Sequence, residues 1–121
     1  MPIEKVNLSE KFALFTEPWK PKIVGQVNDC QVKLVKILGE FLWHKHESED
    51  ELFLTVRGRL TIRFRDRDVV LNPGEFVVVP RGVEHLPVAE EEAHVLLFEP
   101  SSTLNTGNVV GERTVPVLER I

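Results

Sequence analysis

The sequence predicts an all-β fold, a barrel or sandwich of short strands, and three observations predict it. Between Ile23 and Glu99, short apolar runs alternate with turn signals such as Asn28-Asp29, Gly39-Glu40 and Asn72-Pro73-Gly74-Glu75. Leu60-Thr61-Ile62-Arg63-Phe64-Arg65 alternates with a period of two, which sends Leu60, Ile62 and Phe64 to one face. Helical periodicity is confined to one short stretch near the N-terminus. About ten evenly spaced strands with so little helix fit a barrel or a sandwich.

In chain order, Ser9 is the candidate cap of the helical stretch, and Phe12, Leu14 and Phe15 form its apolar face. Pro18-Trp19-Lys20-Pro21 then stops any helix and favours extended chain. Strands are expected over residues 23–27, 31–38, 41–46, 52–56, 60–65, 69–71, 76–79, 84–88 and 93–99. Arg57-Gly58-Arg59 and Asp66-Arg67-Asp68 read as turns, and Glu90-Glu91-Glu92 as an exposed one. Leu52-Phe53-Leu54 and Val77-Val78-Val79 are apolar on both faces. They call for a partner sheet inside and a subunit or a terminal segment outside. The turn-rich stretch after Pro100 reads as irregular. The expected organisation is one domain, with an arm over 1–22, a barrel over 23–99 and a tail over 100–121.

Composition narrows the function classes. A chain of 121 residues supports one hydrophobic core. A net charge of −4 with no basic stripe argues against nucleic acid as a partner. The start, Met1-Pro2-Ile3-Glu4-Lys5, lacks the apolar run of a secretory signal, and no stretch approaches membrane-spanning length. A single cysteine, Cys30, cannot form an internal disulfide, which points to a reducing cytoplasm. No motif surrounds Cys30, so it reads as a structural cysteine.

Four residues carry the chemical signal. His44 and His46 are two apart, so on a strand both rings face the same way. Glu51 follows in the next run, and His85 lies downstream beside the Pro80-Arg81-Gly82 turn. Imidazole and carboxylate together suit iron, manganese, nickel and zinc alike, so ligand type does not choose among them.

Gly39 through Gly58 reads G-E-F-L-W-H-K-H-E-S-E-D-E-L-F-L-T-V-R-G, and Gly74 through His85 reads G-E-F-V-V-V-P-R-G-V-E-H. These stretches resemble the two motifs of the cupin superfamily, in which a glycine leads to H-x-H and a glutamate, and P-x-G leads to a third histidine. The resemblance implies a double-stranded β-helix, the cupin jelly-roll barrel, here with a short N-terminal helical segment. It implies one divalent metal ion on His44, His46, Glu51 and His85. It also implies a small-molecule ligand or substrate and, with the two-sided strands, a homodimer. The second motif departs from the family pattern at Ala89, where asparagine is frequent; that position is not a metal ligand. Histidine ligands must be neutral, so metal binding is expected to weaken below about pH 6.

The remaining polar residues carry less. Glu47, Glu49 and Asp50 read as a solvated acidic loop, and His94 as a packed histidine sharing a face with Leu96 and Phe98. Arg63, Arg65 and Arg67 should face solvent, while Phe41 and Trp43 alternate with the histidines and should point away from the metal. Three imidazoles and one carboxylate leave open positions on an octahedral ion, as catalysis requires. The leading reading is an enzyme of dioxygenase or isomerase type acting on a small organic acid or sugar. The alternative is a non-catalytic module that binds or senses a small ligand. No tyrosine is present, which removes mechanisms that use a tyrosine acid or base, and no catalytic residue stands out.

Overall fold

Two long antiparallel strands, β2 (Cys30–Glu40) and β7 (Leu86–Pro100), form the spine of the molecule. They pair from Cys30 opposite Pro100 to Glu40 opposite Val88. On one side, β1 (Lys22–Val27) pairs with β2 across the Asn28-Asp29 turn. The short β8 (Glu119–Arg120) lies parallel to β1. On the other side, β7 pairs with two strands in succession. Its early residues meet β4 (Leu60–Arg63), and its later ones meet β3 (Glu51–Arg57). Two short strands complete the sheet, β5 (Asp68–Leu71) on β4 and β6 (Phe76–Val79) on β3. The computed structural model describes residues 3–121; Met1 and Pro2 of the expected arm lie outside the described residues.

The molecule is therefore all-β, as expected, but its sheet is not closed by hydrogen bonds. The strand path ends at β5 and β8, and β6 pairs only with β3. The tight turn between β3 and β4 lets both strands follow the same edge of β7. Gly58 makes that turn at φ 81°, and a Cβ there would sit 2.9 Å from the Glu92 carbonyl oxygen. Only glycine fits both constraints.

The interior follows the two-residue period. Leu60 and Ile62 are fully buried, and Phe64 packs against the same cluster from its edge. Val35, Ile37, Phe53, Val79, Val95 and Leu97 join them. Ala89 sits in this core too, so the departure from the motif supplies a small apolar packing residue. A second cluster on the outer face joins Phe12, Phe15 and Leu34, with Val56, Leu96 and Ile121 against them. The helix α1 (Leu8–Phe12) thus covers the outer face at Leu34, Val56 and Leu96, while Val78 of the two-sided run 77–79 stays exposed.

Several expectations are corrected. The helix cap is Asn7, whose Oδ1 accepts from the Glu10 amide at 2.9 Å, while Ser9 lies inside the helix. Leu14 falls beyond the helix end and is exposed. Glu90, Glu91 and Glu92 are exposed but belong to β7 and make no turn. Ile37 faces Ala93 and Gly39 faces Ala89, so the three glutamates bulge opposite the single residue Leu38. Residues 41–46 are extended but not a regular strand; they touch the sheet at one isolated bridge, His44 opposite His85. The tail over 100–121 is mostly irregular, with the two-residue β8 near its end.

Candidate metal centre

The ends of several elements bring the four polar residues together. Glu51 opens β3, and His85 immediately precedes β7. His44 and His46 come from the irregular segment that leaves β2. The Pro80-Arg81-Gly82 turn is tied to this segment, because the Gly82 amide donates to the His46 carbonyl at 2.7 Å. Asp50 fastens the same turn by accepting from the Arg81 amide at 2.9 Å and pairing with its guanidinium at 3.3 Å. Those two bonds hold the exposed Asp50 carboxyl below its ordinary range.

His44, His46, Glu51 and His85 are all buried, and each offers one ligand atom within 4.8 Å of the others. Backbone carbonyls orient two of the rings. Nδ1 of His44 lies 2.9 Å from the Leu42 carbonyl, and Nδ1 of His85 lies 2.9 Å from that of Val83. With Nδ1–H donating there, each ring keeps Nε2 as its free lone pair, the arrangement metal-binding histidines use. Oε1 of Glu51 lies 3.3 Å from Nε2 of both His46 and His85. Even so, His46 Nε2, His85 Nε2 and Glu51 Oε1 are buried without a hydrogen-bond partner. Buried orphan polar atoms are rare, and three gathered in one cluster are the donor set a divalent cation takes.

The electrostatics agree. Burial, helped by the neighbouring His85, lowers His44 from 6.5 to about 4, so its ring is neutral at physiological pH. Burial alone would raise the Glu51 carboxyl. The adjacent His46 and His85 rings outweigh it and hold Glu51 well below the ordinary range, as an anion. The result is a neutral His44 imidazole beside the Glu51 carboxylate.

A narrow cavity reaches this cluster at His44 and Glu51. It offers about 40 Å³ to the centre of a water molecule, enough for a few waters. Apolar walls come from Val35, Ile37, Phe53 and Leu97, together with Trp19 and Phe41. Phe41 was expected to point away from the site. It lines the cavity instead and meets the His44 ring edge-on at 5.4 Å, because strand parity does not hold in the irregular segment. Trp43 does point elsewhere and carries the Arg65 guanidinium on its ring at 3.8 Å.

Two buried charges also line the cavity. Lys33 and Glu99 pair at 3.2 Å, exposed by only 1% and 3%. Burial and the adjacent Glu51 charge push the Glu99 carboxyl well above its ordinary range, against the opposing pull of Lys33. The signal was available as parity. Lys33 alternates with Val35 and Ile37, and Glu99 alternates with Ala93, Val95 and Leu97. His94 takes no part in the site: its ring stacks on Phe12 at 4.5 Å and its Nε2 meets Glu92. Glu49 receives a hydrogen bond from Ser102, and Glu47 pairs with Lys45 near the surface.

The cupin domain family, Cupin_2, matches residues 32–99 of this sequence. The chain belongs to that family. A cupin-2 domain protein of Shewanella frigidimarina, solved as a crystal structure, is 46% identical and superposes with a TM-score of 0.78, covering 78% of this chain and 93% of that one. The Neisseria meningitidis protein NMB1881 is 34% identical with a TM-score of 0.74, covering 81% and 100%. Protein YdbB of Bacillus subtilis (strain 168) is 38% identical over 80 residues. That alignment takes in 65% of each chain, so this cupin spans just under two-thirds of YdbB. No helix of the described residues is long and apolar enough to cross a membrane.

Proposed function

We propose that this cupin holds one divalent metal ion on His44, His46, Glu51 and His85 and acts on a small organic acid or sugar. The observation that carries the reading is the convergence of four buried ligand atoms within 4.8 Å, three of them without hydrogen-bond partners. The ion, when bound, supplies Lewis acidity toward a carbonyl, carboxylate or hydroxyl oxygen. Four protein ligands leave positions free on a six-coordinate ion, in contrast to a closed structural site. Iron would suit dioxygenase-like chemistry, while manganese, nickel or zinc would suit an isomerase-like reaction.

The chain's own residues do the rest. The Leu42 and Val83 carbonyls set the ring tautomers, and Phe41, Phe53 and Leu97 wall the cavity against bulk water. The narrow cavity favours a substrate of few atoms. We place the protein in a reducing cytoplasm, as its single cysteine suits. We also read it as a homodimer, supported by exposed Phe76 and Val78 on the open edge strand β6. Light scattering at micromolar concentration should give the mass of two chains; a monomer would remove that part.

Elemental analysis of untagged protein, beside a His85→Ala control, tests the centre. About one metal ion per chain, lost in the control, is the expected result. No metal in either protein after reconstitution with iron, manganese, nickel and zinc would overturn the reading.

A further inference from the structure

Lys33 stands in an unusual place for a lysine. Its side chain points into the barrel from β2, and Glu99 on β7 meets it at 3.2 Å. An ammonium group has three N–H donors. Among the described residues, Lys33 Nζ has a single hydrogen-bond partner, Glu99 Oε1. Oε2 of Glu99 is buried and accepts no hydrogen bond. A buried ion pair of this kind is seldom worth more than apolar residues of similar volume, so stability does not explain it. Both residues line the cavity that reaches His44 and Glu51, whose other walls are apolar apart from Asn105. The spare donors therefore belong to a side chain that lines a cavity a ligand or water can fill.

Charge balance gives the sign of that ligand. With a divalent ion in place, the ion and Lys33 outweigh the carboxylates of Glu51 and Glu99, whether or not Glu99 carries a proton. No further acidic side chain lines the cavity. An anion would offset the excess, and the spare lysine donors are the groups suited to hold it.

We propose that Lys33, held in place by Glu99, anchors the carboxylate of a small 2-hydroxy or 2-oxo acid whose remaining oxygens face the histidine cluster. This rests on the metal reading and narrows its substrate class from acids and sugars to acids of few atoms. Lys33 is the contact residue. Glu99 is a positioning residue that acts through it.

The test uses the full chain loaded with manganese, with glycolate as the probe and glycolamide as its neutral isostere, both followed by calorimetric titration. Glycolate should bind at least about tenfold more tightly than glycolamide, which corresponds to roughly 1.4 kcal/mol or more. Lys33→Met should erase that preference at unchanged metal content, Lys33→Arg should restore part of it, and Glu99→Gln should weaken it. Equal binding of the two probes by the unsubstituted protein, or no glycolate binding, overturns the anchor without any variant having to fold. So does an undiminished preference in Lys33→Met. Elemental analysis of the same samples separates the two claims. Metal retained with no glycolate preference removes the anchor alone. A Lys33-dependent preference in protein that holds no metal removes the metal centre and leaves the anchor.

Discussion

His44 and His85 exchange both of their backbone hydrogen bonds. The His44 amide donates to the His85 carbonyl at 3.1 Å, and the His85 amide donates back at 2.9 Å. They form an isolated antiparallel bridge, with ring centroids 4.3 Å apart. Main-chain bonds thus set the spacing of two imidazoles, and an alanine at either position keeps the donors and acceptors of those bonds.

Replacing His85 by alanine should therefore abolish metal retention while leaving the strand content intact. A metal that binds only the folded chain stabilises it by about 2.7 kcal/mol at a hundredfold excess over Kd. Added metal should raise the thermal midpoint of the unsubstituted protein and leave that of His85→Ala unchanged. Far-ultraviolet circular dichroism of the metal-free proteins should superpose. A collapse of strand signal in the variant would show that the His85 side chain holds the fold.

The metal-free protein should lose stability in mild acid through His44. Its folded-state value is about 4 against 6.5 for an unperturbed ring. Between those values the unfolded chain binds a proton that the folded chain refuses, so stability falls as pH drops from 6.5 toward 4. The loss at His44 approaches about 3 kcal/mol at pH 4 and is absent above neutrality. The depressed Glu51 carboxyl costs stability only below its ordinary value of 4.5. Urea denaturation at pH 7 and pH 5 brackets the histidine window. The raised Glu99 carboxyl acts there in the opposite sense, so His44 is read from the difference between the unsubstituted protein and a His44 variant. The loss between those two values should shrink in His44→Gln; an equal loss in both proteins would contradict the assignment. The same burial moves proton competition at His44 to lower pH than an unperturbed ring would give.

Two glycines with nearly the same φ separate backbone strain from steric overlap. Gly39 (φ 79°) has open space where a Cβ would stand, whereas Gly58 (φ 81°) faces the Glu92 carbonyl at 2.9 Å and Ala93 Cα at 3.1 Å. Gly39→Ala should cost about 1 kcal/mol, the strain of a left-handed alanine alone. Gly58→Ala should cost roughly 2–3 kcal/mol, because the β3–β4 turn must also move away from β7. Denaturant midpoints at constant slope measure the difference. Equal losses would mean that the turn yields without strain.

The pattern of what the sequence disclosed has physical causes. The metal candidates were legible because their spacing is chemical information held in residue identity, independent of element boundaries. β6 matched its expected bounds because Pro73-Gly74 and Pro80 punctuate both sides of it. Phe41 was misplaced because a two-residue period was extended into a segment with one bridge to the sheet. The strand β7 was split in two because three glutamates resemble a turn, although a bulge accommodates them within one strand. Lys33 and Glu99 do not stand out in the sequence because charged residues at the ends of apolar runs ordinarily face water. Their inward parity was visible, but only pairing across β2 and β7 makes their burial tolerable.

The C-terminal segment, irregular as it is, should govern access to the site. The Asn108 amide donates to the Lys45 carbonyl at 3.0 Å, and Asn108 Oδ1 accepts from the Lys45 amide at 2.9 Å. Arg113 donates to the Glu40 and Phe41 carbonyls and lies over the Phe41 ring at 4.5 Å. Asn105 and Leu118 complete the cavity wall. Gly107 permits this docking: it has φ 56°, and a Cβ there would overlap the Lys45 carbonyl and stand 3.2 Å from the His44 ring. Gly107→Ala should therefore lift the segment from residues 44–46 at a cost of roughly 2 kcal/mol or more. Hydrogen exchange should rise in residues 41–46 and 104–118 and stay slow along β2 and β7, since the spine does not depend on the tail. Uniform acceleration across the chain would mean that the tail folds cooperatively with the sheet, and unchanged exchange would mean that the alanine is accommodated in place.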